Sequence, residues 1–351
     1  MKELRLMKGN EAIAEAAIRA GADAYFGYPI TPQSEILEYL AEHNPAETTG
    51  MVVLQAESEL AAINMVYGAA CAGRRVMTSS SGPGISLMTE GMSYLAGAEL
   101  PCLIVNVARG GPGLGTIQPS QADYLQSTKG GGHGDYHLLV LAPASVQEMA
   151  DFTALGFDLA FKYRNPVLIL TDGVIGQMME KVELPEFRQR VKECEPWATT
   201  GKTPDRERNI ITSLNLDALK QEQHNIRLQS KYRRMEEEET RYETYLCEDA
   251  EYIIVAYGAS ARISRKAIEL AREQGVKAGL FRPITLFPFP AKELKAATKN
   301  VKGLLSVEMN AGQMIEDIRL AVECRIPVKH FGRYGGVIHA PEEVLEAIKQ
   351  F

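Results

Sequence analysis

Short apolar runs alternate with amphipathic stretches over the first half of the chain. The apolar runs have the length of buried strands and are Ala24–Ile30, Met51–Gln55, Val76–Ser79, Cys102–Val107, Leu138–Ala142 and Val167–Thr171. The intervening stretches have helical spacing and are Glu11–Arg19, Ser34–Glu42, Ser58–Cys71, Ile85–Leu95 and Val146–Phe161. This alternation predicts an α/β fold with a mostly parallel sheet that helices cover on both faces.

The pattern changes after Glu183. The stretch Leu184–Asp217 is charged and interrupted by prolines, which predicts a connecting arm. A long polar helix is predicted at Leu219–Leu246. Its acidic run Glu236–Glu239 indicates a solvated face, although so long a helix could also pack across another domain or subunit.

A second α/β unit begins at Tyr252 with an apolar strand that leads into Gly258. Its further predicted elements are helix Ser260–Gln274, strands Lys277–Phe281 and Gly303–Val307, helix Met314–Glu323 and strand Pro327–His330. We therefore predict three regions: a first domain at 1–183, an arm with the long helix at 184–250, and a second domain at 251–351.

Composition excludes several classes of function. The net charge of −7 argues against nucleic acid and anionic membranes as partners. No apolar run approaches the roughly 18 residues of a membrane span, so we expect no membrane. The five cysteines are odd in number and lack CxxC spacing, which favours buried thiols in a reducing cytoplasm over disulfides, zinc or iron–sulfur clusters: Cys71, Cys102, Cys194, Cys247 and Cys324.

Ligands of open parallel sheets bind beyond the carboxyl ends of the strands, so the segments that follow the strands are the candidate site. The first of these segments is Gly27–Glu35, in which Pro32 could start a helix with Thr31 as its N-cap. The free hydroxyl of Thr31 at the start of that helix could also bind a carboxylate. The second segment is Gln55–Ala62, which starts the next helix. Glu57 and Glu59 are two residues apart, so they cannot face the same side of that helix. If Glu59 points inward, it needs a partner or a proton.

The other two segments are rich in small residues. Thr78–Gly84 lets the backbone approach a flat ligand closely, but it lacks the spacing of a nucleotide-binding loop. Arg109 ends an apolar strand and precedes a glycine-rich loop. A buried guanidinium needs an anion, and a carboxylate that binds it in a bidentate manner is the obvious candidate.

Together these segments resemble the α chain of the 2-oxoacid:ferredoxin oxidoreductases, through Tyr28-Pro-Ile-Thr-Pro, Thr78-Ser-Ser-Ser-Gly-Pro-Gly and Asn106-Val-Ala-Arg-Gly-Gly-Pro-Gly. The resemblance covers essentially the whole chain. It implies a thiamine diphosphate-binding domain of the pyrimidine type, followed by a smaller α/β domain like the C-terminal domain of transketolase.

The resemblance also implies roles for single residues. Glu59 would be the catalytic glutamate that hydrogen-bonds N1′ of the aminopyrimidine, and its place nine residues before Gly68 favours it over Glu57. Thr31 and Arg109 would hold the substrate carboxylate. The cofactor would lie against two segments: Tyr28, Pro29 and Ile30, and Ser81, Gly82 and Pro83.

The chain lacks the Gly-Asp-Gly segment and later asparagines that hold Mg²⁺ and diphosphate in such enzymes, and it lacks the family's iron–sulfur cysteines. The resemblance places these parts on other chains. It implies a β subunit with Mg²⁺ and the diphosphate site, γ and ferredoxin-like subunits with [4Fe-4S] clusters, ferredoxin as acceptor and CoA as co-substrate. This chain alone should be catalytically incomplete.

Within the family, the segment Arg109–Tyr124 looks most like that of members acting on branched-chain 2-oxoacids such as 2-oxoisovalerate. No Lys or Arg occurs between Arg109 and Lys129, so a second substrate carboxylate would find no cation there. Enzymes for 2-oxoglutarate or pyruvate are the alternative within the family. A non-catalytic subunit of the same fold is the alternative of a different class.

The segment Gly132–His137 contains His133, Asp135 and His137 in alternation. Such a set could suggest a metal site, but no fourth ligand is apparent. A flexible active-site loop is the favoured interpretation, and we assign no metal to this chain.

Overall fold

The computed structural model describes residues 3–190, 195–202 and 204–351. Cys194 and Thr203, both part of the predicted arm, lie outside these residues. The described strands are β1 Leu4–Lys8, β2 Ala24–Gly27, β3 Val52–Gln55, β4 Val76–Ser80, β5 Cys102–Ala108, β6 Leu139–Leu141, β7 Pro166–Asp172, β8 Met179–Glu183, β9 Tyr242–Tyr245, β10 Tyr252–Val255, β11 Ala278–Pro283, β12 Thr285–Phe287, β13 Gly303–Glu308 and β14 Val328–Gly332. The described helices are α1 Gly9–Arg19, α2 Ser34–His43, α3 Pro45–Thr48, α4 Glu59–Cys71, α5 Pro83–Gly97, α6 Tyr124–Thr128, α7 Val146–Tyr163, α8 Gly173–Gln177, α9 Ala218–Glu238, α10 Gly258–Glu273, α11 Ala291–Ala297, α12 Met314–Ala321 and α13 Pro341–Lys349.

The larger sheet has seven strands in the order β12-β6-β7-β5-β4-β2-β3. All neighbours in it are parallel except β12, which pairs antiparallel with β6. The four strands β5, β4, β2 and β3 are adjacent, so the segments that follow them meet at one edge. The predicted α/β class with a mostly parallel sheet is confirmed.

The smaller sheet has the order β14-β13-β10-β11-β9. Its four other strands are parallel, and β9 pairs antiparallel with β11. Helices α10 and α13 cover one face with an apolar cluster of their own. The other face joins the core of the larger sheet. The chain is thus built around two sheets, and β12 passes from the second region back to the first sheet.

The long polar helix ends earlier than predicted. Helix α9 stops at Glu238, and residues predicted as its last two turns form β9. Tyr242, Thr244 and Tyr245 are β-branched or aromatic, and pairing with β11 satisfies their backbone groups. The extension of the helix to Leu246 was therefore wrong.

The acidic run at the end of α9 is only partly solvated. Glu239 is buried and accepts hydrogen bonds from Lys162 Nζ at 2.6 Å and Tyr163 Oη at 2.8 Å. Leu228, Tyr232 and Met235 are buried on the same helix. Glu236, Glu237 and Glu238 are exposed, so the predicted solvated face holds for them and fails only for Glu239. The buried side chains show that helix α9 also packs across the first region of its own chain.

The side chain of Gln121 joins the two sheets. Its Nε2 donates to the carbonyl of Tyr257, and its Oε1 accepts from Ser260 Oγ at 2.6 Å and from the Met309 backbone N–H. Gly258, between these elements, has φ +54°, and a methyl group there would lie 3.1 Å from Gln121 Nε2. These contacts fix the second region against the segment that follows β5.

Candidate active site

Glu59 is the first residue of α4 and is 6% exposed, whereas Glu57 is exposed. Ser58 caps the helix by accepting from the Ala61 N–H at 3.2 Å, which fixes where the helix begins. No donor in the described parts of the chain hydrogen-bonds the Glu59 carboxylate. A buried carboxylate without a partner is costly, so this group is placed to meet a ligand.

The turn between β4 and α5 brings backbone and hydroxyl groups close to Glu59. Gly84 is buried, and a methyl group on it would lie 2.4 Å from Glu59 Oε1. Gly82 has φ +47°, a conformation that favours glycine. The hydroxyl of Ser81 is fully buried and, within the described residues, has no hydrogen-bond partner. The turn therefore offers a flat ligand both close approach and unpaired polar groups.

Arg109 lies at the end of β5 and binds only backbone carbonyls in the described structure. Its Nη1 donates to the carbonyl of Thr31 at 2.9 Å and its Nη2 to that of Leu114 at 3.0 Å. The Nε group is buried, and no partner for it occurs in residues 3–190, 195–202 or 204–351. None of the described carboxylates forms an ion pair with the guanidinium, which leaves its charge available to an anion.

The turn Tyr28–Thr31 stands at the same edge and is largely exposed. Tyr28, Pro29 and Thr31 are exposed, and Ile30 is half-buried. Gln33 holds the turn from below, because its Nε2 donates to the Tyr28 carbonyl at 2.9 Å. Helix α2 begins at Ser34 with Gln33 as its N-cap residue, so the prediction of Thr31 as the cap was wrong. The Thr31 side chain is consequently free of that role.

The predicted residues therefore gather in one place, from four separate segments. A cavity of about 360 Å³ is lined by Gly82, Pro83, Arg109 and the glycine-rich loop that follows. Glu59 lies against the same turn through Gly84. The roles assigned to these residues stay predictions.

Asp123 lines the same cavity and was missed at the sequence level. Burial raises the pKa of its carboxyl, and the hydrogen bond from Asn106 Nδ2 at 2.9 Å opposes that rise. The signal in the sequence was Asn106, a polar side chain in an otherwise apolar strand.

The second region also reaches the site, which the sequence did not indicate. A methyl group on Gly110 would lie 2.8 Å from the backbone carbon of Gly335, and one on Gly336 would lie 2.4 Å from Gln118 Cβ. The loop that follows Arg109 is therefore packed against residues from the other end of the chain. Contacts between residues so far apart in the chain produce no recognisable pattern in the local sequence.

The Gly132–His137 segment lies elsewhere. It runs beside the second half of α5, where Ser93 Oγ donates to the His133 carbonyl. It lines a separate cavity of about 620 Å³ together with α9. His137 stacks on Phe287 with ring centroids 4.1 Å apart. The role of this segment as an active-site loop stays a prediction.

The described residues contain no group of three or more His, Cys, Asp or Glu side chains placed to hold a metal ion. No helix in the described ranges is long and apolar enough to cross a membrane.

Nearly the whole chain matches models of known protein families. Residues 15–245 match the family model described as pyruvate flavodoxin/ferredoxin oxidoreductase, thiamine diphosphate-binding. The chain belongs to the 2-oxoacid:ferredoxin oxidoreductase family. Residues 250–344 match core domain II of pyruvate:ferredoxin oxidoreductase. The thiamine diphosphate-binding match covers most of the first region together with nearly all of the predicted arm.

Two relatives of this oxidoreductase chain match it over nearly their full length. Ketoisovalerate oxidoreductase subunit VorB of Methanothermobacter thermautotrophicus is 53% identical over 99% of this chain and 97% of its own. The 2-oxoglutarate synthase subunit KorA of the same organism is 39% identical over 99% of both chains. Both relatives are named as subunits of larger enzymes.

Two solved structures resemble the oxidoreductase chain in fold. The 2-oxoglutarate:ferredoxin oxidoreductase of Magnetococcus marinus, with 2-oxoglutarate, coenzyme A and succinyl-CoA bound, superposes with a TM-score of 0.88 at 28% identity. That match covers 99% of this chain and 65% of the other. A split-gene transketolase, an inactive β4 tetramer, superposes with a TM-score of 0.61 at 14% identity over 98% and 97% of the two chains.

Proposed function

We propose that this chain is the α-type subunit of an enzyme that converts a branched-chain 2-oxoacid, such as 2-oxoisovalerate. The other reactants are CoA and oxidised ferredoxin, and the products are acyl-CoA, CO₂ and reduced ferredoxin. The observation that carries the proposal is the cavity beside Arg109. Of the described residues that line it, Arg109 is the sole cation.

The missing second cation supports an apolar substrate side chain. Lys129, the next basic residue along the chain after Arg109, forms an ion pair with Asp317, 2.5 Å from Nζ to Oδ1. Asp317 also accepts a hydrogen bond from Tyr124 Oη, so the pair belongs to the contact between the two regions. A 2-oxoglutarate molecule would have to bury its second carboxylate without a cation from this chain, which costs several kcal/mol.

The residues at this edge fit the pyrimidine half of thiamine diphosphate. Glu59, which is 6% exposed, offers a carboxylate without a hydrogen-bond partner among the described residues, and Ser81 offers a fully buried hydroxyl without a partner. Gly84 packs directly against Ser80 and Glu59, and a Cβ on Gly82 would lie 3.2 Å from Arg109 Nε, so the backbone of this turn stays close to the candidate site residues. Tyr28, Pro29, Ile30 and Pro83 would bound the ring. When bound, the cofactor supplies a nucleophilic carbon and an electron sink for decarboxylation.

The chain's own residues would then do two things. Glu59 would share a proton at its Oε atom with N1′ of the aminopyrimidine and so control where that proton resides. Arg109, with its remaining N–H groups, and Thr31, with its hydroxyl, would orient the carboxylate of the 2-oxoacid.

The diphosphate and Mg²⁺ need a second chain. An exposed apolar surface supports such a partner, because large side chains of α4 and α5 face outward: Leu60 is 45% exposed, Met65 38%, Leu87 52% and Tyr94 42%. We propose that a β subunit carrying the diphosphate and Mg²⁺ site covers this surface. The γ and ferredoxin-like subunits with [4Fe-4S] clusters would complete the route to ferredoxin.

A substrate assay of the assembled complex tests the proposal. We expect kcat/KM for 2-oxoisovalerate to exceed that for 2-oxoglutarate by about a hundredfold, because the second carboxylate lacks a partner. A higher value for 2-oxoglutarate would refute the branched-chain assignment. Absence of turnover with every 2-oxoacid, in a complex that contains all partner chains, would favour a non-catalytic subunit.

A further inference from the structure

Strand β4 ends in a row of hydroxyl groups with unequal surroundings. Ser79 Oγ is hydrogen-bonded to both Tyr25 Oη and Gln33 Oε1, each at 2.7 Å. Thr78 and Ser80 lie on the opposite face of the strand and are fully buried. Their hydroxyl oxygens have no hydrogen-bond partner in the described structure. Buried hydroxyls without a partner are uncommon, so each needs an explanation.

Ser80 and Glu59 share one small space. A methyl group on Gly84 would lie 2.2 Å from Ser80 Oγ and 2.4 Å from Glu59 Oε1. The hydroxyl and the carboxylate therefore approach the same point from β4 and α4. Thr78 is two residues earlier on the same strand face, so it lies about 7 Å further from the edge of the sheet.

We propose that Ser80 is a positioning residue for Glu59, whose hydroxyl donates to the Glu59 carboxylate while that carboxylate holds the aminopyrimidine. The inference rests on the proposed function. A hydroxyl can rotate to donate toward an anion, and the donated bond stabilises the ionised carboxylate. The proton that Glu59 shares with N1′ is then held on the ring, where it is needed.

The other ionisable groups at this edge of the sheet have partners or positions of their own. Arg109 binds the Thr31 and Leu114 carbonyls, and Asp123 accepts from Asn106. Glu57 and Tyr28 are exposed. Tyr25 Oη is bound to Ser79, and burial raises the pKa of its phenol. Ser80 and Ser81 both have hydroxyls without a partner in the described structure, and Ser80 is the one whose oxygen lies with Glu59 Oε1 around Gly84.

The test uses the assembled complex with thiamine diphosphate and Mg²⁺, and compares Ser80→Ala, Ser80→Thr, Thr78→Val and Glu59→Gln. The first readout is the exchange of the thiazolium C2 proton for deuterium without substrate, followed by acid quench and NMR. The second is the pH profile of kcat/KM. The third is the calorimetric Kd for thiamine diphosphate.

Loss of the hydroxyl in Ser80→Ala should slow C2 exchange about tenfold and move the acid limb of the profile up by about one pH unit, because a donor to a charged group is lost. The Kd should change less than about threefold. Ser80→Thr, which keeps the hydroxyl, should stay close to wild type. Thr78→Val, which removes an equally buried hydroxyl, should leave exchange and profile unchanged.

Wild-type exchange and an unmoved acid limb in Ser80→Ala, alongside a large loss in Glu59→Gln, would overturn the role of Ser80 alone. An equal effect of Thr78→Val would also overturn it, since the cause would then be packing. Normal exchange in Glu59→Gln would instead contradict the proposed function itself. If Ser80→Ala fails to assemble, Ser80→Cys, which keeps the volume and has only a weak donor, replaces it with the same expected shifts.

Discussion

Arg109 donates a hydrogen bond of 2.9 Å to the backbone carbonyl of Thr31, a residue 78 positions earlier in the chain. The bond joins the turn after β2 to the end of β5. Two residues assigned to one carboxylate by resemblance therefore meet in space.

Replacement of Arg109 by Gln should weaken all 2-oxoacids together. In the proposed site the charge of Arg109 would bind the 1-carboxylate that every 2-oxoacid carries, so its loss should lower kcat/KM by about tenfold to a hundredfold for each substrate. The ratio between 2-oxoisovalerate and 2-oxoglutarate should stay within about threefold of wild type. A large change in that ratio would show that Arg109 selects between substrates.

The packing of Gly110 against Gly335 predicts an effect from a single methyl group. Gly110→Ala would place Cβ 2.8 Å from the Gly335 backbone and 2.7 Å from Thr116 Cγ2, so the loop must shift. We expect KM for the 2-oxoacid to rise at least about fivefold. Gly111→Ala is the matched control, since its Cβ would meet nothing within 4 Å. Equal effects of both substitutions would show that the contact with the second region is unimportant.

The chain without partners should bind thiamine diphosphate weakly or not at all. It offers contacts to the pyrimidine, but its sequence lacks the segment that holds diphosphate and Mg²⁺. Calorimetric titration of the purified chain with the cofactor and Mg²⁺ measures this directly. A submicromolar Kd would contradict the proposal that this chain alone forms only part of the cofactor site.

His339 should make the protein sensitive to acid. Burial lowers the pKa of its imidazole to about 4, and both ring nitrogens lack a hydrogen-bond partner among the described residues. The unfolded chain takes up this proton near pH 6.5, before the folded chain does. Stability is therefore complete above pH 6.5 and falls, by up to about 3 kcal/mol, as the pH drops from 6.5 through 4.

The substitution His339→Phe should consequently reduce the drop in thermal midpoint between pH 7 and pH 5. His43→Phe is the control, because His43 is exposed and stacks on Tyr39. If His339→Phe and wild type lose stability equally on acidification, other groups cause the acid sensitivity.

Strands β5, β6 and β7 of the main sheet were predictable because every residue in them is buried and they appear as continuous apolar runs. Cys102–Val107, for example, became β5 with one residue added. The pair β1–β8 was not predicted, since Leu4 and Leu6 are exposed and the strands pair across most of the first region. Strand β12 has three residues and depends on β6 for its register. Local pattern cannot reveal such pairing.

The residues of the candidate site also fall into those that the sequence marks and those that only the folded structure reveals. Glu59 and Arg109 could be selected because each is a charge beside an apolar element, and the resemblance then assigned their roles. Gly335 carries no such mark, and Ser80 was marked only as one small residue of Thr78–Gly84. The contacts of Gly335 with Gly110 and of Ser80 with Gly84 exist only in the folded chain. The domain boundaries at residues 183 and 250 stay predictions.

The central claim is that Glu59 completes a thiamine diphosphate site formed with a partner chain. The most direct measurement is kcat for 2-oxoisovalerate in the assembled complex, with Glu59→Gln and Glu57→Gln compared at saturating cofactor. Because an amide cannot share a proton with N1′ as a carboxylate does, Glu59→Gln should assemble normally and lose at least about a hundredfold in kcat. Glu57→Gln, at an exposed position, should retain kcat within about twofold. A near-normal kcat in Glu59→Gln would contradict the claim.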